Sequence, residues 1–151
     1  MATPLDDTDR RILDELAVDG RMSMRTLADR LHVSRANAYA RVDRLQKSGV
    51  IRGFRADVDP VASGLATTAY VTLNLRQADW RRIREQLQAL PGIAHIGLVG
   101  GEFDVILLVR ARDNEDLSRL VLDEIQGMEG VLTTRTLLVF EEHEPTPGRT
   151  A

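Results

Sequence analysis

The chain has no cysteine. Disulfides, thiolate-held zinc and a cysteine nucleophile are therefore excluded, and a reducing cytoplasm is the expected setting. Long apolar runs are missing as well. No stretch approaches the roughly 18 uninterrupted apolar residues that a membrane span requires, and the opening "MATPLDDTDRRILDEL" has no basic start followed by an apolar segment, so neither export nor membrane insertion is expected. Histidine is scarce: His32, His95 and His143 are isolated from one another, and no cluster at metal-ligand spacing is read around them. No metal, no cofactor and no catalytic residue are expected. What the chain does have is 43% hydrophobic residues over 151 positions, enough for one ordinary domain or two small ones with real cores.

A formal net charge of −3 conceals a local asymmetry. Residues 1–20 carry −4, residues 56–151 carry −6, and residues 21–55 hold nine bases against Asp29 and Asp43, a net +7. A basic block inside an acidic chain is the footprint of a polyanion-binding surface.

Three helices are predicted in the first sixty residues. The first runs from Asp6 as N-cap to Val18, buries Ile12, Leu13 and Leu16, and stops at Gly20. The second starts at Ser23 and turns Leu27, Ala28 and Leu31 inward. After the short connection "HV", Ser34 caps a third helix whose Ala38, Val42 and Leu45 recur at i, i+4, i+7, with Lys47 in its last turn and Gly49 beyond it. Two short helices joined by so tight a turn and braced by a preceding helix describe a helix-turn-helix. The buried seam of the third helix leaves Ala36, Asn37, Ala40, Asp43, Arg44 and Lys47 outside, with Arg35, Tyr39 and Arg41 on the flanks. Two alanines let the backbone approach a groove floor, while Arg35 and Asn37 carry side chains that pair bidentately with guanine and adenine. The residues expected to face DNA are Ser23, Arg35, Ala36, Asn37, Tyr39, Ala40, Arg41 and Arg44. For Arg41, phosphate contact and an ion pair with the acidic first helix are both open.

"LDDTDRRILDELAVDGRMSMRTLADRLHVSRANAYARVDRLQKSGVIRGFRADVDP" resembles the Lrp/AsnC family of prokaryotic transcription regulators. The matching features are Leu5-Asp6, Asp9, Ile12-Leu13, Leu16, Gly20-Arg21, Leu27-Ala28, Ser34, Arg41-Val42, Leu45, Gly49-Val50-Ile51, Gly53-Phe54 and Val58-Asp59. His32 stands at the turn where many relatives carry glycine, and a histidine adopts the left-handed conformation less readily, so slight strain is expected there. Phe54, Ala56 and Val58 alternate with Arg55, Asp57 and Asp59, which reads as a strand leaving the domain, its arginines within reach of phosphates.

After Pro60 and Gly64 an internal repeat appears. "VTLNLRQAD" corresponds to "VILLVRARD", each a strand ending Arg-x-x-Asp before a helix, and Leu90-Pro91-Gly92-Ile93 corresponds to Met128-Glu129-Gly130-Val131. Two βαβ copies make a ferredoxin-like βαββαβ unit. Asp79 and Asp113 are the natural helix N-caps, with inward stripes Trp80, Ile83, Leu87, Leu90 and Leu117, Leu120, Val121, Ile125, Met128. "VILLV" and "LLVF" are apolar on both faces, although helices cover only one face of such a sheet, so a second subunit is the expected cover. The fold class is thus α+β, with a helix-turn-helix (winged-helix-like) domain over 1–53, a connecting strand and linker over 54–64, a ferredoxin-like effector and dimerisation domain over 65–141, and a flexible tail over 142–151. Between the second and third strands, Gly100-Gly101 permits a tight hairpin with Glu102 and Asp104 at its tip. The family motif there is Gly-acid-aromatic-Asp, matched by Gly101, Glu102, Phe103 and Asp104. The resemblance implies that small effectors, usually amino acids, bind here where dimers meet, with Val99, Gly100, Thr134 and Thr136 contributing. Asp104 would hold an amino-acid ammonium. The competing reading makes it a hairpin-stabilising residue. Many relatives have a hydroxyl residue where this chain has Gly100, which implies a different or weaker effector site.

The function expected is a sequence-specific DNA-binding regulator that senses a small molecule, forms homodimers and is able to assemble further, for example into an octamer. Two alternatives are an architectural protein that wraps DNA with little base selectivity, and an enzyme, since relatives include proteins that decarboxylate a tetrapyrrole. The enzyme reading requires acid-base groups converging in a pocket, and here the candidates are scattered.

Overall fold

A computed structural model describes residues 4–143, and these divide into two compact units at Asp57 and Val58. The first unit holds α1 (Asp7–Val18), α2 (Met24–Leu31) and α3 (Arg35–Lys47). Each begins on an oxygen-bearing side chain that accepts an otherwise orphaned helix N–H: Asp6 from Asp9, Ser23 from Thr26 and Ser34 from Asn37. At Asp6 the cap is reciprocal, because the Asp9 carboxylate also accepts the Asp6 N–H. The α2–α3 turn runs through His32 at φ 55° and ψ 44°, the only non-glycine residue at positive φ among those described. His32 thus takes the left-handed conformation that glycine adopts more readily, at the centre of that allowed region. Ile12, Leu16, Met22, Leu27, Leu31, Val42 and Leu45 form the core.

The strand expected over Phe54–Asp59 does not form. Residues 52–59 carry no ladder, because a strand needs a neighbouring edge for its N–H and C=O groups and the unit offers none. Phe54 and Val58 remain exposed.

The second unit is built from β1 (Thr67–Leu75), α4 (Trp80–Ala89), β2 (Ile93–Leu98), β3 (Val105–Ala111), α5 (Asn114–Arg119) and β4 (Val131–Val139). The sheet is antiparallel throughout, in the order β2-β3-β1-β4. This is the ferredoxin-like arrangement, with both halves of the repeat contributing a central strand. Ala69, Val71 and Leu73 of β1 and Val105, Leu107 and Val109 of β3 are completely buried under Ile83 and Leu87 of α4 and Leu117, Val121 and Ile125 of the second helix.

Two helix features depart from expectation. Asp79 occupies the cap position of α4 but makes no capping bond, because a 3-10 turn over Gln77–Asp79 leaves it with helical backbone angles. Its carboxylate instead meets Arg82 at 3.1 Å. The second helix is α-helical only to Arg119 and continues as a π-helical turn over Leu120–Ile125, closed by the Gln126 N–H donating to Val121 O at 2.9 Å.

On the sheet face away from the helices, Tyr70 lies opposite Leu108 on one side and Leu137 on the other, and Thr72 opposite Ile106. Tyr70 is 40% and Leu137 50% exposed in the single chain, so this face presents an apolar centre to its surroundings.

Candidate functional site

The Ser34 cap fixes where α3 begins, and with Ala38, Val42 and Leu45 buried the helix exposes Arg35, Ala36, Asn37, Tyr39 and Ala40 as one continuous surface. Six of the residues expected to face DNA, Ser23 among them, are thus at the surface of the same unit. Ser23 itself is already engaged, since its hydroxyl accepts the Thr26 N–H at 3.0 Å and lies 2.8 Å from Thr26 Oγ1.

Arg41 and Arg44 are placed differently. Both reach back to α1, where Asp9 is 1% exposed. Arg44 Nη2 donates to both Asp9 oxygens at 2.6 Å, and Arg41 Nη1 donates to Asp9 Oδ1 at 2.8 Å and to Asp6 Oδ2 at 2.7 Å. Of the two readings of Arg41, the internal ion pair is the one formed in the chain alone. Arg41 also donates through Nε to Asn37 Oδ1 at 2.8 Å, which fixes which end of that amide is oxygen. The Arg41 hydrogen bond, with help from the Asp9 N–H, holds the Asp6 carboxyl below its usual range. Burial pushes Asp9 upward, but the hydrogen bonds from Arg44, the Asp6 N–H and Arg41 outweigh it and leave its pKa lowered. Sequence reasoning named Asp9 only as a matching position and gave it no role, and Arg44 no internal partner. The legible trace was the spacing: Asp6 and Asp9 at i, i+3 facing Arg41 and Arg44 at i, i+3.

In the second unit the hairpin joining β2 and β3 is a six-residue loop, closed by the Val99 N–H donating to Asp104 O at 2.9 Å. It is wider than the tight turn expected from Gly100-Gly101, and Gly101 takes φ 141° within it. Asp104 extends the β3 ladder. Its N–H donates to Leu73 O at 2.9 Å, and its Oδ2 accepts the Leu75 N–H at 2.8 Å, replacing the carbonyl a continued strand would have supplied. Asn74 Nδ2 donates to Glu102 O at 2.9 Å, Thr133 Oγ1 donates to Asn74 Oδ1 at 2.8 Å, and Arg135 lies 3.6 Å from Glu102 Oε1. The hairpin is thus tied to Asn74, Thr133 and Arg135, none of which the sequence singled out, because only strand register brings them there. Thr134 and Thr136 pair with Leu73 and Val71 and face the helix side, away from those contacts. Val99, Gly100, Glu102 and Phe103 stay with Asp104 in the loop.

A capped, surface-presented recognition helix in one unit, and a ferredoxin-like sheet in the other, define a two-part DNA-binding regulator. The winged helix-turn-helix DNA-binding family model matches residues 5–52, and the model of the Lrp/AsnC ligand binding domain matches residues 68–148. The chain is a member of the Lrp/AsnC family of transcriptional regulators. It is 39% identical over 140 residues to the HTH-type transcriptional regulator AldR of Mycobacterium tuberculosis, covering 91% of this chain and 78% of that protein. The structure of E. coli AsnC superposes with a TM-score of 0.85 at 25% identity, covering 93% of this chain and 95% of the other. A transcriptional regulator of Neisseria meningitidis, solved as a complex with L-Met, superposes with a TM-score of 0.88 at 25% identity, covering 95% and 94%.

Proposed function

We propose that the chain regulates transcription by reading a specific duplex sequence with α3 and by coupling that reading to an amino acid taken up by the second unit. The carrying observation is the exposed row Arg35, Ala36, Asn37 and Ala40 on a helix capped by Ser34 and clamped to α1 through Asp9. Arg35 and Asn37 have the donors and acceptors for base edges, and the alanines leave room for the groove floor. Ser23 and Tyr39 are the flanking set for the backbone, while Arg41 and Arg44, engaged by Asp9, brace the helix from its other flank. The second unit pairs with a second copy across the Tyr70, Leu108 and Leu137 face, in keeping with that face's apolar centre. The regulator solved with L-Met supports an amino acid as the class of effector. In this reading Val99, Gly100, Gly101, Glu102, Phe103 and Asp104 form the ligand loop, and Thr134 and Thr136 act from the helix-facing side. The chain acts as a non-enzymatic cytoplasmic protein, a setting that fits the lack, among the described residues, of any helix long and apolar enough to cross a membrane.

A genomic binding profile taken with and without candidate amino acids tests the proposal. A limited set of sites whose occupancy changes with one amino acid is the expected result. Even coverage without sequence preference would favour a DNA-wrapping role instead.

A further inference from the structure

We infer that Asp9 is a positioning residue that sets how selectively α3 reads DNA, by holding Arg41 and Arg44 on α1 and, through Arg41, fixing the Asn37 amide. The inference rests on the proposed reading by α3 and deepens it.

The observations form a chain of contacts from the buried end outward. Asp9 is 1% exposed, and its place is fixed by the reciprocal cap with Asp6. It accepts from Arg44 at 2.6 Å and from Arg41 at 2.8 Å, and Arg41 in turn donates to the Asn37 carbonyl at 2.8 Å. The amide is planar, so a donor fixed at its oxygen also fixes where its NH2 points. Adenine recognition needs both ends of the amide in one orientation, with oxygen accepting from N6 and nitrogen donating to N7. Oδ1 retains a second lone pair for that purpose while bound to Arg41.

The same clamp governs charge. Asp6 and Asp9 stand against Arg41 and Arg44, so this four-residue cluster is neutral, and two of the nine bases in the +7 block are offset by carboxylates from outside it. Non-specific affinity is set mainly by the number of phosphates that free cations neutralise, with log affinity falling by about 0.9 per log unit of salt for each. An arginine committed to Asp9 adds little to that sequence-blind term, whereas an ordered Asn37 adds to the sequence-reading one. Asp9 thus acts on the ratio of the two and itself touches no base.

Asp9→Asn in the full chain tests this. It keeps the shape and one accepting oxygen while removing the charge. The probes are a duplex selected by the wild-type chain from a random pool and a random duplex of equal length, titrated over a range of salt. The expected result is a several-fold rise in affinity for random duplex at low salt, a salt dependence steeper by about one or two phosphates, and a specific-to-random ratio reduced about tenfold. In an Asn37→Ala background the further fall of that ratio on Asp9→Asn should be much smaller, because the relay already lacks its end. An unchanged ratio and salt slope, with only the melting temperature lowered, overturns the inference and makes Asp9 a purely structural residue. Should Asp9→Asn fail to fold, Asp9→Glu keeps the charge and displaces the carboxylate. It should lower the ratio without steepening the salt slope, and an unchanged ratio overturns the inference equally. If the wild-type chain selects no sequence at all, reading by α3 fails first and this inference falls with it.

Discussion

Single side chains divide into those that touch a partner and those that hold the touching groups in place. On the proposed reading by α3, Asn37 and Arg35 belong to the first kind, and replacing either with alanine should weaken specific binding by roughly 1–3 kcal/mol while leaving random duplex much less affected. Footprints at unchanged affinity in both variants would remove α3 as the reader. Asp104 has one duty already visible, since its carboxylate accepts the Leu75 N–H. An asparagine retains an oxygen for that bond but no charge for an ammonium. Asp104→Asn should therefore abolish amino-acid binding in calorimetric titration with only a small change in melting temperature. A large loss of stability with affinity intact would assign the residue to the hairpin alone. Gly92 is at φ 86°, and a Cβ there would stand 2.6 Å from the Arg110 carbonyl oxygen. Gly92→Ala should cost at least about 1–2 kcal/mol from the left-handed backbone alone, measurable by chemical denaturation.

Among the elements, those whose ends are set by their own residues were legible in the sequence. Asp6, Ser23, Ser34 and Asp113 each accept the helix N–H that their position predicts. Features decided by a neighbour were not. The alternation over Phe54–Asp59 looks like a strand because side-chain pattern says nothing about whether an edge is available. Likewise, Asp79 lost its cap to the preceding 3-10 turn, the π-helical turn after Arg119 left no mark in the inward stripe, and the ties from Asn74 and Arg135 to the hairpin appear only once register is known. Within α5, Asp116 accepts hydrogen bonds from Arg112 and is also paired with Arg119, and the Arg112 bond leads the effects that lower its pKa to about 2. A folded-state pKa below the unfolded value stabilises the fold above the unfolded value, and the contribution is lost as pH falls through the lowered one. The melting-temperature difference between wild type and Asp116→Asn should accordingly be full above about pH 4 and close toward pH 2. A difference that persists unchanged below that window would show that packing, not charge, carries the effect.

For the whole molecule, the sheet of the second unit has one face buried under its own helices and one with an apolar centre around Tyr70, Leu108 and Leu137. Residues 58–142 expressed alone should therefore sediment as a dimer at low micromolar concentration, and a compact, folded monomer would sink the pairing of copies across that face. The strand order has a temporal consequence as well. The three helices of the first unit join through turns of a few residues, whereas β1 must wait for β4, with Thr68 pairing to Val139 about seventy residues later. Contacts of long sequence separation form slowly because chain closure must precede any stabilisation from them. On a ribosome the first unit can complete its core while β4 is still unsynthesised. Refolding followed separately in the two units should show a fast helical phase and a slower one tied to closure of the sheet, leaving the flank of β1 unpaired, and open to wrong partners, for the interval between them.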